Sequence, residues 1–277
     1  MVSTEILRTT GTAGATPPKL TVSGRTLPSM SRFNVSGTAI VTGGSKGIGR
    51  AIAERFIKDG ANVVICSRTE DEVKETAEEI GAVGVACDVT DEDAVENLVD
   101  TTVDEYGGVD HLVNNAGASF MSNFDGITPN GWDRVVDINL GGTYHCTRAA
   151  GEYLKQSNGN IVNFASVAGI RGAPYMSHYA AAKAGVINFT STLSYEWASD
   201  GVRVNCVAPG FVATPGVQSQ MGVTADEIDR DDPDRNIGEP EEIADLVRFL
   251  ASPASSFMTG ETVSAKGVPD IAESPEV

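Results

Sequence analysis

The chain is short of positive charge. Its 277 residues carry 20 Lys and Arg against 38 Asp and Glu, for a formal net charge of −18. This excess opposes nucleic-acid binding, because the phosphates would be repelled. Only seven of the basic residues are lysines. The composition is of the kind found in salt-accumulating cells, so a halophilic cytoplasm is expected, with an ordinary acidic cytosolic protein as the alternative. Charges of one sign strain a compact chain unless salt screens them. Long apolar runs are also lacking, and with them any expected membrane span or secretion signal. The four cysteines, Cys66, Cys87, Cys146 and Cys206, lie scattered beside or within apolar segments. No pair has metal-site spacing, which reads as free thiols buried in a reducing compartment. His111, His145 and His178 form no ligand grouping either, and no metal is expected. There is no repeat at solenoid spacing.

What is present is an alternation of strand-like and helix-like runs. Strands are expected at 38–42, 62–66, 84–86, 111–114, 160–165 and 203–208, with a last short run near Thr262. This βαβα rhythm argues for a parallel sheet with helices on both faces. Residues 1–36 are rich in Ser, Thr, Gly and Pro and show no sustained apolar period. They read as a flexible extension, followed by one catalytic domain over 37–268 and a tail over 269–277.

Two motifs carry chemistry. The first expected strand runs into Gly43-Gly44-Ser45-Lys46-Gly47-Ile48-Gly49 and then into an amphipathic helix. Glycines let the backbone approach phosphates, and a helix N-terminus offers free N–H groups and positive potential. The spacing is G-x-x-x-G-x-G, which is not that of a Walker loop. Far downstream, Tyr179 and Lys183 are four residues apart, so they share one helix face. A cation beside a phenol favours phenolate, which suits the Tyr to proton exchange near neutral pH. Ser166 ends the apolar run before them and could bond the same substrate oxygen.

Together TGGSKGIG at 42–49, NNAG at 114–117, Ser166, YAAAK at 179–183 and APG at 208–210 resemble the short-chain dehydrogenase/reductase family. The likeness is to its main single-domain subfamily and, within that, to 3-oxoacyl-thioester reductases. It implies a three-layer, doubly wound Rossmann fold around a parallel sheet of about seven strands. It also implies a catalytic tetrad of Asn139, Ser166, Tyr179 and Lys183. Tyr179 would exchange a proton with the substrate oxygen, and Ser166 would polarise that oxygen. Lys183 would lower the pKa of Tyr179 and bind the nicotinamide ribose. Asn139 would hold a water in a kinked helix.

For the dinucleotide, the resemblance assigns Gly43, Ser45, Lys46, Gly47, Ile48 and Gly49 to the phosphates. Asp88 and Val89 fall to the adenine, and Asn114, Asn115, Ala116 and Gly117 to sheet support and the ribose side. Pro209, Gly210, Val212 and Thr214 fall to the nicotinamide carboxamide. NAD-preferring members place an acid at the end of the second strand, where Ser67 and Arg68 stand here. With Lys46 close by, two cations and no anion favour NADP(H) over NAD(H).

The expected activity is hydride transfer between a nicotinamide and a small carbonyl or alcohol substrate. Alcohol or sugar dehydrogenation is the alternative, and a non-catalytic dinucleotide sensor a remote one. The segment 211–239 is expected to form a flap over the site. The Lys266-Gly267-Val268 ending departs from the family's usual Asp-Gly-Gly or Asn-Gly-Gly. A homotetramer packed through the helices carrying Asn139 and Tyr179 is implied by the resemblance.

Overall fold

A computed structural model describes residues 30–221, 228–232 and 234–267. Most of the expected extension and the whole expected tail lie outside the described residues. The described end of the extension, 30–36, packs on the domain. A short 3-10 turn, Met30–Phe33, leads to Val35, which is buried and donates its backbone N–H to Asp59.

Seven strands form one parallel sheet: β1 (Thr38–Thr42), β2 (Asn62–Ser67), β3 (Val83–Ala86), β4 (His111–Asn114), β5 (Asn160–Phe164), β6 (Arg203–Pro209) and a last strand, Thr262–Ala265. Their order is β3-β2-β1-β4-β5-β6 and then the last strand, with every neighbouring pair parallel. The order reverses between β1 and β4, and a doubly wound sheet opens its ligand crevice at such a switch point. This is the fold that the sequence implied, with strand ends shifted by a residue: β2 extends to Ser67 and β5 stops at Phe164.

The helices follow from local chemistry. α1 (Gly47–Asp59) rises from the glycine loop, and α2 (Glu70–Ile80) opens with three acids in its first turn, where the helix dipole favours them. The Asp91 side chain caps α3 (Glu92–Tyr106) by accepting from the Ala94 N–H. α4 (Pro129–Val136) and α5 (Gly142–Ser157) are joined by a single π turn, Asp137–Gly141. After β5 come a short helix α6 (Val167–Arg171) and the long α7 (Ser177–Glu196). Beyond β6 the expected flap forms a two-residue strand β7 (Phe211–Val212), α8 (Pro215–Met221) and β8 (Ile237–Gly238), with β7 and β8 paired. The middle of the flap lies outside the described residues. α9 (Pro240–Ala251) closes the helical set, and the last strand is therefore β9.

Alternation along the strands sorts the core into two halves. Ala39, Val41, Val63 and Ile65 face α1 and α9, together with Phe56, Val247 and Leu250. Ile40, Val64 and Cys66 face the other way, with Leu98, Ala150 and Leu154 of α3 and α5. Strands buried on both faces read as continuous apolar runs. All four cysteines are buried and free.

Candidate active site

β1 delivers the chain to the glycine loop at the carboxyl edge of the sheet. Gly43 and Gly47 have φ of +64° and +54°, a region that disfavours any residue with a Cβ. A Cβ on Gly49 would overlap the carbonyl oxygen of Gly43 and lie 2.5 Å from Asn115 Nδ2. Asn115 fixes the loop from the neighbouring strand, donating from Nδ2 to the Thr42 and Gly43 carbonyls at 2.8 and 3.1 Å.

Above this loop lies a cavity of about 310 Å³. Of the residues that the sequence assigned to the cofactor, the glycine-loop set, Ser67, Arg68, Asp88, Val89, Asn115, Ala116, Gly117 and Thr214 line it. A second cavity of about 410 Å³ adjoins it and shares Ile48, Asn115, Gly117 and Thr214 with the first. It is lined by Asn139, Ser166, Tyr179, Lys183, Pro209, Gly210 and Val212. Asn114 lies beneath both: its side chain is buried and donates to Thr147 Oγ1 and Asn163 Oδ1 at 3.0 and 2.9 Å. It braces β4 against α5 and β5.

Thr90 and Arg134 set the state of Asp88. Burial pushes its carboxyl up, but the Thr90 N–H and hydroxyl and the Arg134 guanidinium hold it below the ordinary value. The bonds are 3.1, 2.8 and 3.0 Å long.

In the second cavity, Ser166 is the N-cap of α6 and accepts from the Ala168 N–H at 3.2 Å. Tyr179 and Lys183 lie one turn apart on α7, as their spacing required. Tyr179 and Ser166 line this cavity together, and the Ser166 hydroxyl is near enough to act on the phenol's pKa. Burial raises the Tyr179 pKa, and the Ser166 hydroxyl works against that rise. Lys183 Nζ lies 5.7 Å from the centre of the Tyr179 ring and donates to the Phe164 carbonyl at 2.7 Å. Burial pushes the Lys183 pKa down to about 8. The sequence led us to expect the lysine to lower the phenol's pKa; the direction in this structure is upward, and its cause is burial.

Asn139 sits in the π turn, a helix defect often found at functional sites. Its Nδ2 donates to the Ala118 and Val135 carbonyls at 2.7 and 2.8 Å. Its Oδ1 is buried with no partner among the described residues, and a Cβ on Gly117 would come within 2.8 Å of it.

One residue was missed. Glu72, in the first turn of α2, lines the first cavity, and its carboxylate faces the glycine loop. The expectation of two cations and no anion is therefore corrected: beside Lys46 and Arg68 the cavity is lined by Glu72, as well as by Asp88. The available signal was the acidic first turn following Ser67, but only the fold turns that helix end back onto the loop.

These features fit a dinucleotide. Close-approach glycines and a helix N-terminus suit phosphates, and a buried acceptor without a partner among the described residues and the Tyr179–Lys183 pair line the adjoining cavity. Among the described residues no cluster of His, Cys, Asp or Glu could hold a metal.

A family model described as enoyl-(acyl carrier protein) reductase matches residues 43–267. The short-chain reductase protein NovJ of Streptomyces niveus is 42% identical over 242 residues, spanning 83% of this chain and 92% of that protein. A 3-oxoacyl-[acyl-carrier-protein] reductase of Synechocystis is 41% identical over 239 residues, spanning 83% of this chain and 95% of that protein. A solved short-chain type dehydrogenase/reductase from Mycobacterium marinum superposes with a TM-score of 0.79 at 32% identity. That match covers 86% of this chain and 97% of the other.

Proposed function

The chain belongs to the short-chain dehydrogenase/reductase family and is an oxidoreductase acting on CH–OH and C=O groups; from that premise we propose that it is an NADP(H)-dependent reductase of 3-oxoacyl thioesters. The observation that carries the reading is the convergence of Ser166, Tyr179 and buried Lys183 in one cavity that adjoins the glycine-loop cavity.

Bound NADPH supplies the hydride. Tyr179 gives its proton to the oxygen of the substrate carbonyl as charge develops there. Ser166, in the same cavity, donates to the same oxygen and stabilises that charge. Lys183 steadies the resulting phenolate. Asn139 Oδ1 offers a buried acceptor to a water that links Lys183 to solvent. On this reading Asn139, Ser166, Tyr179 and Lys183 are the catalytic set. Lys46 and Arg68, at the far end of the first cavity, support the choice of NADP(H).

The thioester assignment draws support from the names of the relatives and from the exposed apolar side chains on two facing loops. Phe120, Met121 and Phe124 stand on one loop and Tyr175 on the other. The Ser122 N–H donates to the Tyr175 carbonyl at 2.9 Å and ties the loops together. Such an exposed apolar patch suits an acyl chain. Buried free thiols support a cytoplasmic setting. A homotetramer completes the reading.

The test is oxidation of NADPH and NADH in molar KCl against an acetoacetyl thioester, simple ketones and keto-sugars. NADPH-dependent turnover of the thioester is expected, and Tyr179→Phe should lower it about a thousandfold while NADPH still binds. Turnover of ketones or sugars alone would move the enzyme to the alcohol or sugar dehydrogenases. Binding without turnover on any of them would favour a sensor.

A further inference from the structure

Glu72 occupies the groups that a phosphate would use. Its Oε1 accepts from the Ser45 hydroxyl at 2.6 Å, and the same carboxylate pairs with Lys46 Nζ at 3.2 Å. Both partners belong to the glycine loop, and all three residues line the first cavity beside Ser67 and Arg68. Thr76, one turn further along α2, donates to the Ser45 carbonyl at 3.1 Å and holds the helix against the loop. The carboxylate is therefore a built part of the loop. The Ser45 bond, followed by the Lys46 bond, holds it below the usual carboxylate range, although burial acts against this.

The chemistry of the two dinucleotides differs at this place. A ribose with a free 2′-hydroxyl can donate to a carboxylate. A 2′-phosphate only accepts when ionised, and it carries charge of the same sign. To bind there it must share Lys46 with Glu72 or displace the carboxylate from Ser45. Lys46, counted as a free cation in a charge argument, is already paired with Glu72.

We propose that Glu72 is a specificity-determining residue that restrains the preference for NADPH, so that NADH is also accepted. The proposal rests on the dinucleotide site assigned above. It goes further by giving the choice between the two cofactors to a helix residue outside the glycine loop and the end of β2.

Dissociation constants for NADPH and NADH, read from nicotinamide fluorescence, test this on the full chain and on Glu72→Gln. The amide keeps the shape and can still accept from Ser45 but carries no charge. NADPH should bind about tenfold more tightly to the variant, and NADH should change by less than about twofold. The gain should shrink in molar KCl, because the effect is electrostatic. Glu72→Ala should shift the ratio in the same direction, and melting curves check that both variants fold. An unchanged ratio, or equal weakening of both cofactors, would overturn the proposal and leave Glu72 as a brace for the loop. A wild-type chain that binds NADH more tightly than NADPH would instead overturn the NADP(H) reading. The Glu72→Gln shift in ratio would still be read separately.

Discussion

Lys183 Nζ donates to the backbone carbonyl of Phe164 at 2.7 Å, tying α7 to the last residue of β5. The ammonium is nearly inaccessible, and burial brings its pKa from 10.5 to about 8. Between these values the unfolded chain holds a proton that the folded chain has lost, so stability contributed by this group rises with pH across that window. Below about pH 8 the folded state carries the full penalty of a buried charge, on the order of 3 kcal/mol. Lys183→Met keeps the length of the side chain and removes the charge. It should melt at a higher temperature than the wild type at pH 7, and the gap should close as pH approaches 10.5, while turnover is lost. Melting curves over this range check it; a variant less stable at pH 7 would contradict it.

The strands were legible because they are buried on both faces. Ile40, Val64 and Ile161 are fully buried, and their neighbours along the strand are nearly so, so each strand shows as an unbroken apolar run. The glycine loop and the Tyr179–Lys183 pair were legible because each is a local pattern with a fixed spacing. What escaped the sequence depends on elements meeting in space. Glu72 reaches Ser45 across 27 positions, and Arg248 reaches Asp59 across 189. The carbonyl partner of Lys183 belongs to a backbone that no side-chain pattern reveals. The π turn at Asn139 is a helix defect, and the apolar spacing of 137–141 does not mark it.

Gly49→Ala tests the loop. The new Cβ meets a backbone carbonyl and the Asn115 side-chain amide, which two hydrogen bonds to the loop hold in place. The loop must shift, at a stability cost of about 1–3 kcal/mol. Because that loop lines the first cavity, NADPH affinity should fall by more than about tenfold. Gly60→Ala is the control. Gly60 has φ of +99° with nothing within 4 Å of its Cβ position, so the substitution should cost about 1 kcal/mol and leave NADPH affinity unchanged. Fluorescence titration and denaturant unfolding separate the two effects.

Asp59 fastens three parts of the chain. It accepts two bonds from Arg248 of α9, at 2.6 and 2.7 Å, and one from the Val35 N–H at 3.0 Å. It is itself the last residue of α1, where the helix dipole disfavours an acid, so the guanidinium is needed to hold it. Its side chain is only 6% exposed. Asp59→Ala strands a partly buried guanidinium and a backbone N–H, and should cost about 3 kcal/mol. Arg248→Lys keeps the charge but loses the two-pronged geometry, and should cost about 1 kcal/mol. Equal losses in urea unfolding would mean that charge alone matters there.

The net charge predicts a dependence on salt whose sign is fixed. Acids exceed bases by 18, and the pairs Lys74–Glu70 and Lys46–Glu72 already use up cations at exposed positions. Such pairs add little stability and weaken in salt, so if they dominated, salt would lower the melting temperature. If repulsion among the excess acids dominates, salt must raise it. The screening length falls from about 10 Å at 0.1 M to about 3 Å at 1 M, and the excess makes repulsion the larger effect. The melting temperature should therefore climb by several degrees as KCl rises from about 0.1 to about 1 M, with structure lost in dilute buffer. NaCl at equal ionic strength should act alike, since screening depends on charge and concentration. A chain that melts at the same temperature with and without salt would sink the halophilic reading while leaving the catalytic one untouched.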